Sequence, residues 1–259
     1  MEDKDLQYPD FTLADKKAVI TGASKGIGRG LALALAHAGA RVALIARNES
    51  DLEAVVKEVE VEGGAARAYP ADLRQTSSIG PLFDRIGADM GGIDILVNNA
   101  GLGKPIPSLE IDEEYWEMMV SLNLKAAFFC SQAAARWMLD AGEGKIVNMS
   151  SQASVAAIAE ESLYSTTKAG LNMMTRSLAL EWGPKGVTVN AVGPTFVRTP
   201  GTAERLDTPS FRDATLAKIP LGRFGTMTDV AAAVIYLASP AGSMVNGELI
   251  LVDGGWTVP

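Results

Sequence analysis

Short apolar runs alternate along this chain with longer stretches in which apolar and polar residues are mixed. The runs at 18–21, 41–46, 66–70, 93–98, 145–149, 187–192 and 249–252 predict strands. The intervals predict helices, notably over 27–37, 49–61, 75–90, 112–140, 163–182 and 228–238. Strands such as 93–97 and 249–252 are apolar almost throughout, as expected where helices cover both faces of a parallel sheet. Strand and helix in alternation predict an α/β fold, a doubly wound parallel sheet in a single domain over 1–259, with a short N-terminal extension of about 1–12. One irregular stretch, 195–223, is rich in Thr, Pro and charge. It follows the sixth strand at its carboxyl end, where open α/β sheets bind ligands, and it reads as a lid.

Composition narrows the class. A chain of 259 residues that is 47% hydrophobic can bury one sizeable core. No apolar run approaches the ~18 residues of a membrane span. The acidic N-terminus lacks a signal-peptide stretch, so a cytoplasmic protein is expected, with no membrane partner. Twenty-three basic against 31 acidic residues leave a net charge of −8, which disfavours nucleic acid as a partner. The single cysteine, Cys130, excludes an internal disulfide and suits core packing. With only one His beside it, no catalytic zinc cluster can form, and no metal site is expected.

Candidate chemistry begins at the first strand-to-helix turn. After Thr21, the residues Gly22, Gly26 and Gly28 supply glycines where a chain must turn tightly and let a pyrophosphate approach, and the helix N-terminus then offers free N–H groups. Gly22 to Gly26 also fits the G-x-S-x-G nucleophile elbow. A hydrolase of that type needs a later His, and the one histidine, His37, lies inside the first helix. Ser24 is therefore a loop hydroxyl near phosphate. Farther on, Tyr164 and Lys168 are four residues apart and share a helix face. A cation there is expected to lower the phenol's pKa, and Ser151 can hold a substrate oxygen beside it. That equipment moves a proton on or off a carbonyl or alcohol oxygen.

With Asp72 and Leu73 after the third strand, Asn98 to Gly101 after the fourth, Asn123, and Asn190 to Pro194 in and after the sixth, the chain resembles the short-chain dehydrogenase/reductase family over residues 13–256. The resemblance implies a Rossmann fold and hydride transfer between a nicotinamide dinucleotide and a small carbonyl or alcohol substrate. It implies that Tyr164 is the general acid in reduction and the base in oxidation. Lys168 would lower the Tyr164 pKa and bond the nicotinamide ribose, Ser151 would polarise the carbonyl, and Asn123 would hold a water linking Lys168 to solvent. Such acid–base help is typically worth ~10²–10⁴ in rate. For the cofactor it implies the loop Gly22, Ser24, Lys25, Gly26, Ile27 and Gly28. It adds Asp72 and Leu73 beside the adenine, and Asn98, Ala100 and Gly101 along the groove. Pro194, Val197 and Thr199 fall near the carboxamide. The second strand ends in Ala46-Arg47, where an acid would accept a ribose 2′-hydroxyl. Arg47 and Lys25 instead match a 2′-phosphate, favouring NADP(H) over NAD(H).

Two departures stand out. Thr195 follows Pro194 where the family usually has Gly, and Asn246-Gly247 replaces Thr-Gly. The resemblance further implies a homotetramer, in which the helices 112–140 and 163–182 pair across a two-fold axis and 252–256 makes a second contact. Phe128, Phe129, Trp137, Met173 and Met174 are apolar beyond one buried stripe. Candidate substrate contacts are Leu102, Lys104, Ala153, Ile158, Glu161, Thr195, Phe196 and Trp256, a mixture that fits a small ketone, a sugar or polyol, or a ring ketone. Two alternatives share the motifs: a 3-oxoacyl-(acyl carrier protein) reductase, and a non-catalytic dinucleotide-binding protein.

Overall fold

The computed structural model describes residues 8–258, so most of the expected N-terminal extension lies outside the described residues. Seven strands form one sheet in the order β3-β2-β1-β4-β5-β6-β7. They are β1 (Lys17–Thr21), β2 (Arg41–Ala46), β3 (Ala65–Pro70), β4 (Ile95–Asn98), β5 (Gly144–Met149), β6 (Val187–Pro194) and β7 (Leu249–Val252). Every neighbouring pair is parallel. Strand order reverses between β1 and β4, which opens a crevice at their carboxyl ends.

Side-chain alternation along each strand feeds two cores. Ala18 and Ile20, Val42 and Leu44, and Ile95 and Val97 point to one face, under α1 (Gly26–His37), α2 (Glu49–Val61) and, near the chain's end, Met227–Ala238. Val19, Ala43, Ile45 and Leu96 point to the other. There they meet α3 (Ile79–Met90), the helix Ala126–Ala141 and the C-terminal apolar positions of Ser162–Trp182. Cys130 is fully buried in this second core, where burial pushes its thiol pKa up.

The expected helix over 112–140 is broken. It consists of α4 (Glu113–Val120), a π-turn at Ser121–Lys125, and α5 (Ala126–Ala141). Asp112 caps α4 by accepting from the Tyr115 N–H at 2.8 Å. The expected strand 93–98 begins at Ile95; just before it, Asp94 bonds Lys17 and Lys145 through its backbone and accepts from the Lys17 N–H with its carboxylate at 2.7 Å. The expected start of α3 at 75 is a 3₁₀ turn at Thr76–Ser78. After α6 (Ser162–Trp182) and β6, the stretch expected to be a lid folds into two short helices, α7 (Ala203–Asp207) and α8 (Pro209–Leu216). A capping box between Thr226 and Asp229 then starts α9 (Met227–Ala238).

Candidate active site

The turn between β1 and α1 is built for close backbone approach. Gly22 has φ of 66°, and a Cβ there would sit 2.8 Å from Ala100 Cα. A Cβ on Gly28 would run into the Gly22 carbonyl oxygen and the Asn99 amide. Thr21 Oγ1 accepts from the N–H groups of Asn99 (3.0 Å) and Ala100 (2.9 Å), tying the ends of β1 and β4 together. No side chain caps α1, so its first N–H groups are left to whatever the cleft holds. Gly22, Ser24, Lys25, Ile27 and Gly28 line one end of a cleft of about 1180 Å³. Gly26 is not in that wall; its φ of 54° turns the loop beside Thr199.

Charge is arranged in pairs at the next stretch of wall, formed by Arg47, Asn48, Asp51, Asp72, Leu73 and Arg74. Arg74 grips Asp72 at 2.5 Å and holds its carboxyl below the usual range. Lys25 is bound to Asp51 at 2.9 Å. Arg47 makes no ion pair among the described residues, and it is the cation left to act on a ligand here. Ala100 and Gly101 line the groove as expected, whereas Asn98 does not. Its amide faces the other side of β4 and donates to Asn148 Oδ1 and Ser131 Oγ, both at 2.9 Å. Asn99, one residue on and on the opposite face, takes the place in the wall.

Ser151, Tyr164 and Lys168 come together in the middle of the cleft. The expected pairing of the ammonium with the phenol is not what is found. Lys168 Nζ donates to the Met149 carbonyl at 2.7 Å and lies 5.7 Å from the Tyr164 ring centre. Burial pushes Lys168 down to about 8. Burial likewise pushes the phenol up to about 12, while the neighbouring Ser151 hydroxyl pulls it back and the charge of Glu161 adds to the rise. Desolvation is the largest influence on both groups. The Ser151 hydroxyl donates to Gln152 Oε1 at 3.0 Å and accepts from the Ala153 N–H at 3.1 Å. Gln152, almost wholly buried, was not legible as a site residue because nothing in its spacing marks it.

Asn123 is buried and lies behind the wall rather than in it. Its amide donates to the Leu102 carbonyl and its oxygen accepts from the Leu102 N–H, both at 2.8 Å. It thus clamps the segment Gly101–Gly103 against the site. Gly103 lies against Tyr164, where a Cβ would come within 2.9 Å of the ring. Pro194, Val197 and Thr199 line the far wall as expected. Of the candidate substrate contacts, Leu102, Glu161, Thr195 and Phe196 are in the wall. Lys104, Ala153, Ile158 and Trp256 are not, and the lid contributes Thr202 and Arg205 in addition.

A glycine cradle without Cβ atoms, an uncapped helix start and one unpaired arginine fit a nicotinamide dinucleotide. Among the described residues no group of His, Cys, Asp and Glu could hold a metal ion, and no helix is long and apolar enough to cross a membrane.

A family model described as enoyl-(acyl carrier protein) reductase matches residues 22–257. The chain is 39% identical over 249 residues to D-threitol dehydrogenase of Mycolicibacterium smegmatis, covering 96% of this chain and 95% of that one. It is 40% identical over 253 residues to L-xylulose reductase of Mesocricetus auratus, covering 96% and 99%. Among solved structures, a gluconate 5-dehydrogenase from Burkholderia cenocepacia J2315 in complex with NADP and tartrate superposes with a TM-score of 0.92 at 34% identity, covering 96% of this chain and 98% of that one. The chain belongs to the short-chain dehydrogenase/reductase family. It is an oxidoreductase acting on alcohol and carbonyl groups with a nicotinamide dinucleotide.

Proposed function

We propose that the protein interconverts a hydroxyl and a carbonyl on a sugar or polyol, with NADP(H) as the preferred coenzyme. The observation that carries this reading is the polarity of the wall around Tyr164. Gln152 and Glu161 face the reacting centre, and the Thr195 hydroxyl, buried beside it, has no hydrogen-bond partner. A hydrocarbon-rich ketone would leave those groups unsatisfied. The relatives named for threitol, xylulose and gluconate are in keeping with it.

In this reading Gly22, Ser24, Ile27 and Gly28 hold the pyrophosphate, Arg47 meets the 2′-phosphate, and Asp72 and Leu73 border the adenine. Lys168 holds the nicotinamide ribose, with Pro194, Val197 and Thr199 beside the carboxamide. The bound coenzyme supplies or accepts the hydride. Tyr164, a protonated phenol at neutral pH, gives its proton to the carbonyl oxygen in reduction. Ser151 accepts from the Ala153 N–H and orients that oxygen by turning its one proton from Gln152 Oε1 to the substrate. Asn123 serves the site by fixing the wall that faces Tyr164, and the water-holding role expected of it belongs to this proposal.

The lid speaks against an acidic carrier protein. Arg198 is paired with Asp207, Arg212 with Asp213 and Arg223 with Asp229, so that among the described residues only Arg205 and Lys218 are basic side chains of this segment without a close carboxylate partner. We further propose a homotetramer, supported by Phe128 and Met173, which are 38% and 60% exposed on α5 and α6. Initial rates with NADP⁺ and NAD⁺ over a panel of polyols, sugar acids and ring alcohols test the substrate class. Turnover of a polyol or sugar acid is expected. Turnover of ring alcohols alone would contradict it.

A further inference from the structure

Glu161 is the last residue before α6, and its side chain is only 12% exposed. Among the described residues no hydrogen bond reaches its carboxylate. The nearest cation, Arg205 Nη1, is 3.9 Å away, too far to donate to it. Arg205 is held by other means: its guanidinium lies 4.1 Å over the Phe211 ring and 5.7 Å from that of Phe196. Both residues line the cleft, and the Glu161 charge acts on the Tyr164 phenol. A carboxylate so buried and without donors is costly. The donors that suit it are hydroxyls, and the chain offers none at hydrogen-bond distance. A polyol offers several, each a charge-assisted bond. A carboxylate on the substrate would instead face a like charge, while Glu161 offsets the pull of Arg205 on it.

We infer that Glu161 is a specificity-determining residue that accepts hydroxyls of neutral polyols and excludes sugar acids by holding Arg205 in balance. This rests on the sugar or polyol reading above and narrows it. Removing the Glu161 charge therefore does two things at once: it weakens the hold on neutral hydroxyls and frees a positioned arginine for carboxylates.

The test is to measure kcat and KM with NADP⁺ for threitol and for gluconate on the wild type, Glu161→Gln, and Glu161→Gln with Arg205→Gln, each checked for an intact melting transition. The wild type is expected to favour threitol. One charge-assisted bond corresponds to roughly tenfold, so Glu161→Gln raises the KM for threitol about tenfold. The same variant gains about tenfold in kcat/KM on gluconate, and the double variant loses that gain. A wild type that prefers gluconate, or an unchanged threitol-to-gluconate ratio in Glu161→Gln, overturns the inference while leaving the sugar or polyol reading in place. Failure of both substrates, with ring alcohols turned over instead, removes that reading and the inference with it. Should Glu161→Gln not fold, Glu161→Asp carries the test: a carboxylate withdrawn by one methylene raises the KM for threitol at retained kcat, and an unchanged KM overturns the inference.

Discussion

Lys168 carries its ammonium into a place that water does not reach, with the Met149 carbonyl as its partner at 2.7 Å. A folded-state pKa of about 8, against an ordinary 10.5, means that the buried charge opposes folding. Below pH 8 the lysine is charged in both states and the penalty is present in full. Between about 8 and 10.5 the unfolded chain keeps a proton that the folded one has lost, so stability rises and the penalty fades. Lys168→Met is therefore expected to raise the melting midpoint at pH 7, by an amount that shrinks toward pH 10, while abolishing turnover. A lower midpoint at pH 7, or a gain that ignores pH, would contradict this.

On the proposed NADP(H) preference the coenzyme end turns on Arg47, since Lys25 is engaged by Asp51 at 2.9 Å. Replacing Ala46 with Asp and Arg47 with Ser should move preference toward NADH at least tenfold, because an acid accepts the ribose 2′-hydroxyl and repels the 2′-phosphate. Competing initial rates at equal coenzyme concentrations measure it, and a wild type that already prefers NADH would refute the role of Arg47. The spacing of Ser151, Tyr164 and Lys168 was legible from the chain because a helix face and a strand end set their places. Which of two adjacent asparagines faces the cleft was not, since Asn98 and Asn99 differ only by strand phase. The Lys25–Asp51 pair was not legible either, because it joins the start of α1 to the first turn of α2, 26 residues on.

At the scale of elements, the glycine turn is the least forgiving part. Gly28→Ala places a methyl against the Gly22 carbonyl and the Asn99 amide, both backbone or tightly held. The expected result is coenzyme binding weakened tenfold or more in a fluorescence titration with NADPH, in a protein that still melts cooperatively. Unaltered affinity would show that the turn is not the phosphate cradle. Strands and most helices matched the hydrophobic pattern, because buried parallel strands leave little ambiguity. The π-turn at Ser121–Lys125 did not, since an extra residue in a helix leaves no mark on a pattern read at 3.6 periodicity. Its effect is to turn Asn123 onto the Leu102 backbone, where a regular helix would have carried it elsewhere. The lid helices α7 and α8 were likewise hidden in a stretch whose composition reads as loop.

For the molecule as a whole, the sheet and its two cores explain most of the apolar residues, including several expected at an interface. Phe129, Trp137 and Met174 pack against the second core, and Trp137 closes over Gly87. Asn246 is an internal brace: it accepts from the Val189 N–H at 2.9 Å and donates to the Ala179 carbonyl at 3.0 Å. Phe128 and Met173 are what remain for a partner, together with Leu180, which is 82% exposed. Light scattering during size-exclusion chromatography is expected to give about four times the 27.2 kDa chain mass. A monomer at micromolar concentration would remove the tetramer and leave the chemistry untouched.

On the proposed mechanism the chemistry rests on one phenol. Tyr164→Phe removes the proton donor and keeps the ring that packs against Gly103. Turnover of the best polyol substrate by this variant, measured beside NADPH affinity on the same preparation, tests the claim most directly. Turnover is expected to fall by at least ~10², with coenzyme affinity changed no more than a few-fold, because the proton is needed only in the chemical step. Turnover near the wild-type rate in the folded Phe variant would show that Tyr164 is not the acid.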